Sequence, residues 1–177
     1  MDTRYGRGMP LTSSITDYDK NWPRHYEAEA KRLRPIFGDA FVEIHHVGST
    51  AVEGLAAKPE IDMLVVVSEL GLLHHWQGEL LRLKYNRGGD LMNGHHFFKR
   101  DRGRIRTHKL HVCVLGHTQI SRMLGIREHL RANSSDRRAY AELKLRLERD
   151  NKGGIAEYLG AKAPFLDELY LKFQTKG

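Results

Sequence analysis

The chain of 177 residues contains a single cysteine, Cys113, so no disulfide can form within it, and a buried, inert thiol in a reducing compartment is expected. No apolar run approaches the length that crosses a bilayer, which excludes a membrane-spanning helix. Residues Met1 to Met9 carry Arg4 and Arg7 but no apolar core, so they read as a leader without a secretory signal. Repeats and low-complexity segments are missing as well. Acids are scarce in one region: between Leu91 and Leu115 the only one is Asp101. The expectation is a cytoplasmic protein with a flexible leader over residues 1–14 and one domain over 15–177.

What is present is ordinary for a globular domain, with 40% hydrophobic and 29% charged residues. The net charge of +7, with eleven histidines besides, attracts polyanions such as a nucleotide, tRNA or an acidic metabolite. Part of that charge is concentrated at Lys99, Arg100, Arg102, Arg104, Arg106 and Lys109.

The informative stretch runs from Val47 to Val67. A strand end leads into the small-residue turn Gly48-Ser49-Thr50, and then an apolar strand begins with two acids. Side chains alternate along a strand, so Glu60 and Asp62 project from one face while Ile61, Met63, Val65 and Val67 project from the other. Paired carboxylates at the head of a buried strand need a cation or donors, and magnesium, which prefers oxygen ligands and substrate phosphates, suits them. Gly48 admits a phosphate to backbone N–H groups, the Ser49 hydroxyl can bond it, and Thr50 opens a tight helical start. Lys58 reads either as a solvated strand edge or as a partner for phosphate or for Asp62. The bland alternatives are a strand start that faces water and a turn that merely needs glycine.

Elsewhere, Trp22, Tyr26, Ala30, Leu33 and Phe37 recur at helical spacing, with Asn21 as a candidate cap and Pro23 in the first turn. Phe41 to Val47 reads as a strand, and Leu72 to Leu83 as an amphipathic helix closed by Asn86-Arg87-Gly88-Gly89. His95 to Arg100 and Arg104 to Leu115 read as a hairpin joined by Asp101-Arg102-Gly103. Helices follow: one with Ile120, Met123, Leu124, Arg127 and Leu130, one with the stripe Tyr140, Leu143 and Leu147, and after Gly153-Gly154 a terminal pair. This order implies an α+β fold, a small mixed or antiparallel sheet flanked by helices with a C-terminal helical segment.

A Gly-Ser followed some ten residues later by acid-apolar-acid-apolar resembles the signature of the nucleotidyltransferase superfamily. More closely, Val47 to Leu55, Ala57-Lys58-Pro59 and Ile61-Asp62 resemble the GrpB family. The similarity extends to Tyr18 to Leu33 with Trp22-Pro23, to Leu110-His111-Val112, to Leu130 through Tyr140, and to Ala161-Lys162-Ala163-Pro164-Phe165. It covers nearly everything after residue 15. This chain departs in having His45-His46 where relatives commonly have Glu-His, and Glu60 where they have an aliphatic residue.

The resemblance implies a nucleotidyltransferase-like fold and transfer of a nucleoside monophosphate from a nucleoside triphosphate to a small-molecule acceptor. On that expectation Glu60 and Asp62 hold Mg2+, Gly48, Ser49 and Thr50 seat phosphates, and Lys58, Arg104 and Arg106 offset charge. His111 stands where the superfamily places a third carboxylate, so it becomes the candidate general base. The alternative is a catalytically inactive nucleotide-binding or accessory module of the same fold. RNA binding finds little support, since Phe97 and Phe98 are the only aromatics within the basic region.

Overall fold

The computed structural model describes residues 11–175, so most of the expected leader lies outside the described residues. Its elements follow the apolar periodicity. Helix α1, Trp22–Leu33, buries Trp22, Ala30 and Leu33 and holds Pro23 in its first turn, where a missing N–H breaks no intrahelical bond. Asn21 caps nothing with its side chain; its own backbone and side-chain N–H groups donate to the Asp19 carboxylate.

Five strands form one mixed sheet in the order β1-β2-β5-β4-β3. They are β1 Phe41–Val47, β2 Ile61–Val67, β3 Asn86–Met92, β4 His95–Arg102 and β5 Ile105–Val114. Strand β2 runs antiparallel to β1 and parallel to β5, so it is central and apolar on both faces. Ile61, Met63, Val65 and Val67 pack with Leu33, Phe37, Trp76 and Leu80 under α1 and α2, the latter spanning Leu73–Arg82. Leu64 and Val66 pack on the other face with Val47, Cys113 and residues of α3, Thr118–Ala132. Helices α4, Ser134–Asp150, and α5, Ile155–Gln174, complete that layer with α3. Cys113 is a buried free thiol, pushed up to about 12 by burial.

Two further sequence expectations change. Asn86 to Gly89, expected to end a helix, begins the edge strand β3, where a side chain at Gly88 would meet the Phe97 ring at 2.5 Å and where the register slips between Arg87 and Gly89. The glycines there accommodate a cross-strand ring and a bulge instead of a turn. The C-terminal pair of helices is one helix, α5, which continues through Pro164. The basic run, concentrated in sequence, is divided among separate acids. Arg100 reaches Glu29 of α1 at 2.6 Å, Arg106 pairs with Asp101, and Lys109 pairs with Glu60. Among the described residues no helix is long and apolar enough to cross a membrane.

Candidate functional site

Strand β1 ends at Val47, directly opposite Asp62 in the antiparallel register, so the turn that follows lies over the acid. Gly48 takes φ 72°, and a Cβ built on it would fall 2.2 Å from Asp62 Oδ2. Only glycine fits there. The next residues, Ser49–Ala51, make a single helical turn. Thr50 is buried, and its hydroxyl donates to the Glu60 carbonyl at 3.1 Å while lying 3.0 Å from the His46 ring, so it fastens the turn to the strand. Two arginines of α3 hold carbonyls on either side of Gly48: Arg127 donates to His46 of β1 at 2.8 Å, and Arg131 donates twice to Ala51 of the turn at 3.0 and 2.8 Å.

Two cavities adjoin this turn and share Ser49, Asp62 and Lys162. The smaller, of about 60 Å³, is walled by Ser49, Glu60, Asp62 and the lysines Lys58, Lys109, Lys144 and Lys162. The larger, of about 230 Å³, is bounded by Gly48, Arg122, Arg127 and apolar residues including Met123, Leu130 and Tyr140. The structure thus brings Gly48, Ser49, Thr50, Lys58, Glu60 and Asp62 together.

It does not bring the other expected residues to these cavities. Arg104 is exposed at the β4–β5 turn, and the Arg106 guanidinium faces Asp101. His111 pairs in register with Leu64, two residues beyond the Asp62 level, about 6–7 Å along the strand. There it hydrogen-bonds the His95 ring at 2.8 Å, and burial, followed by the charges of His95 and Lys109, pushes it down to about 3. The residue beside Asp62 on β5 is Lys109.

Lys109 extends its ammonium to Glu60 Oε2 at 2.6 Å and to Asp62 Oδ1 at 3.5 Å. The longer contact is an ion pair without a hydrogen bond, and Asp62 Oδ1 is buried with no hydrogen-bond donor. Glu60 also accepts from the Thr12 and Ser13 hydroxyls at 3.2 and 3.1 Å. Burial raises the Glu60 carboxyl, but Lys109 and then Ser13 and Lys58 outweigh it and hold Glu60 below its ordinary value. For Asp62, burial and the Glu60 charge prevail over Lys109, and its carboxyl is raised. Burial opposes the Lys109 charge, yet Asp62 and Glu60 together hold Lys109 above the ordinary lysine value.

Nothing in the local pattern singles out Lys144. It lies on α4 four residues after Tyr140, within the buried stripe, and is 3% exposed. Its ammonium donates to Ser49 Oγ at 3.1 Å and to the Ala56 carbonyl at 2.5 Å. Burial, then the charge of Lys162, pushes it down to about 7. Lys162 of α5 is pushed down to about 8 by burial and by Lys109, against the pull of Asp62 and Glu60. Tyr158 lies between Lys58 and Lys162, whose ammonium groups stand 4.6 and 5.4 Å from its ring centre. The Lys58 ammonium is buried without a hydrogen-bond partner.

Magnesium, expected at Glu60 and Asp62, does not fit this arrangement as it stands. An ammonium lies between the two carboxylates, and the small cavity carries four ammonium groups against two acids. Among the described residues no group of three or more His, Cys, Asp or Glu side chains could hold a metal ion.

Comparison with known proteins agrees with this geometry at the level of fold. Residues 12–172 match the family described as GrpB protein. A relative from Halalkalibacterium halodurans, UPF0157 protein BH1888, is 37% identical over 169 residues, covering 93% of this chain and 85% of that protein. The crystal structure of conserved protein GrpB from Enterococcus faecalis superimposes with a TM-score of 0.86 at 32% identity, over 92% of this chain and 98% of that one. A cytoplasmic RNA terminal U-transferase shares the fold at 14% identity and a TM-score of 0.52, over 76% of this chain and 41% of that one. The fold is α+β and nucleotidyltransferase-like.

Proposed function

The chain belongs to the GrpB family, and from that premise we propose that its paired cavities bind a nucleoside triphosphate for transfer of a nucleoside monophosphate to a small-molecule acceptor. The observation that carries this reading is the contact between loop and acid. Asp62 lies against Gly48 so closely that no side chain fits between, and the cavity beginning there is walled by four lysines. Phosphates would enter the small cavity, against Ser49, Lys58, Lys144 and Lys162. The larger, more apolar cavity would take the nucleoside or the acceptor. On this reading the partly exposed Asp62 carboxylate, which lines both cavities, would accept a hydrogen bond from an acceptor hydroxyl and so orient it. Catalysis of phosphoryl and nucleotidyl transfer rests on positioning and charge stabilisation, which these residues supply.

Titration calorimetry with each of the four common nucleoside triphosphates, with and without magnesium, tests binding, and pyrophosphate release in the presence of hydroxyl acceptors tests transfer. Asp62→Asn should keep nucleotide binding and lose turnover. No binding by any nucleotide would overturn the proposal. A second reading, a catalytically silent nucleotide-binding or accessory module, is favoured by one observation: the strand position beside Asp62 holds Lys109 and no third acid. Nucleotide binding without pyrophosphate release, across a panel of acceptors, would select it.

A further inference from the structure

We propose that the Lys109 ammonium is a tethered counter-cation standing in place of a divalent metal between Glu60 and Asp62, so that the cavity takes phosphate-bearing anions without a metal. The geometry is that of a cation site already filled. Lys109 reaches both acids, at 2.6 and 3.5 Å, from the β5 position that pairs in parallel register with Asp62. The hydroxyls of Thr12 and Ser13 complete the Glu60 side, leaving that carboxylate no oxygen free of a partner. Around them Lys58, Lys144 and Lys162 add three further ammonium groups to the same wall. With every group ionised the cavity is positive by two charges, four lysines against two acids. A divalent cation brought there meets repulsion at close range, whereas an anion meets attraction. Without Lys109 three lysines would still face the two acids, but the space between the carboxylates would be open to a hard cation and the repulsion it meets would be smaller.

The anion half of this inference rests on the proposed function; the metal half does not. Free Mn2+ followed by its paramagnetic resonance, with the full chain, tests the metal half. Wild type should leave Mn2+ free at millimolar concentration, and Lys109→Arg should behave the same way. Lys109→Gln should bind Mn2+ about tenfold or more tightly than wild type, and a further Asp62→Asn should abolish the gain. Saturable Mn2+ binding by wild type that Asp62→Asn removes would overturn the proposal, as would a folded Lys109→Gln that gains nothing. Should Lys109→Gln fail to fold, the wild-type and Lys109→Arg titrations decide. Inorganic tripolyphosphate tests the anion half, and it should bind wild type equally in chelator and in magnesium. A magnesium requirement there overturns metal-independent binding alone, and no binding in either condition overturns the proposed function with it.

Discussion

Glu60 does two things that pull a simple mutagenesis experiment in different directions. As one of a pair of acids facing the loop it belongs to the site, but as the 2.6 Å partner of Lys109 it also keeps a half-buried charge satisfied. Removing one member of a buried pair is costly because the other is left uncompensated, typically by about 3–5 kcal/mol. Glu60→Gln is therefore expected to lower stability measurably in urea melts, toward the lower end of that range because Lys109 retains Asp62. Glu60→Leu combined with Lys109→Met should recover most of the loss. A Glu60→Gln chain as stable as wild type would show that the pair contributes little. Lys144 gives a pH signature of its own. Its folded value of about 7 lies below the ordinary 10.5, so between those limits the unfolded chain binds more protons and wild-type stability rises with pH from this group. Below about pH 7 both states are protonated and the penalty of the buried charge is fully present. Relative to Lys144→Met, wild type should gain stability as pH increases from 7 toward 10, and a constant difference would contradict the assignment.

The elements show how far sequence alone reaches and where it stops. Alternation along β2 was legible because strand parity is local: Asp62 and Ile61 must face opposite ways whatever surrounds them. The turn at Gly48 was legible for a similar reason, although the sequence could not show that Asp62 is what demands the glycine. Gly48→Ala should combine an unfavourable φ with a collision at Asp62, and a loss of about 2 kcal/mol or more is expected in thermal or chemical melts together with lost nucleotide affinity. Unchanged binding would mean that the loop does not shape the site. Strand β3 was missed because Gly88 and Gly89 usually mark turns, while here they make room for Phe97 across the sheet. His111 was placed one strand alternation too far. Register between β2 and β5 is set by the crossover through α2, β3 and β4, which no local pattern encodes, and it puts Lys109 beside Asp62. Lys144 was invisible for the same reason, and Lys162, although it stands in the Ala161 to Phe165 stretch, carried no sign of its place in the site, since helices α4 and α5 meet the β1–β2 turn only in the folded chain.

Assembled in this way, the site concentrates a charge that composition reported only as an average. Lys58, Lys109, Lys144 and Lys162 come from four separate parts of the chain and face one small cavity together with Glu60, Asp62 and Tyr158. Burial, with the charge of Lys162 acting on Lys144 and that of Lys109 acting on Lys162, pushes Lys144 and Lys162 down to about 7 and about 8, so near neutral pH each is only partly protonated. An anion in the cavity favours the charged form of both, and binding must then draw protons from solution. Sulfate is a suitable probe, because its own charge is constant over this range while that of a phosphate is not. Its affinity should be greatest below about pH 7 and fall as pH passes through the two lysine values. Calorimetry near pH 7.5 in buffers of different ionisation enthalpy should reveal net proton uptake. The effect should weaken at high ionic strength less than that of an exposed basic patch, since buried charges are screened less. Lys144→Met should remove the lower of the two inflections and leave the upper one. If sulfate affinity is flat from about pH 6 to pH 9, or if protons are released on binding, these lysines do not receive the anion.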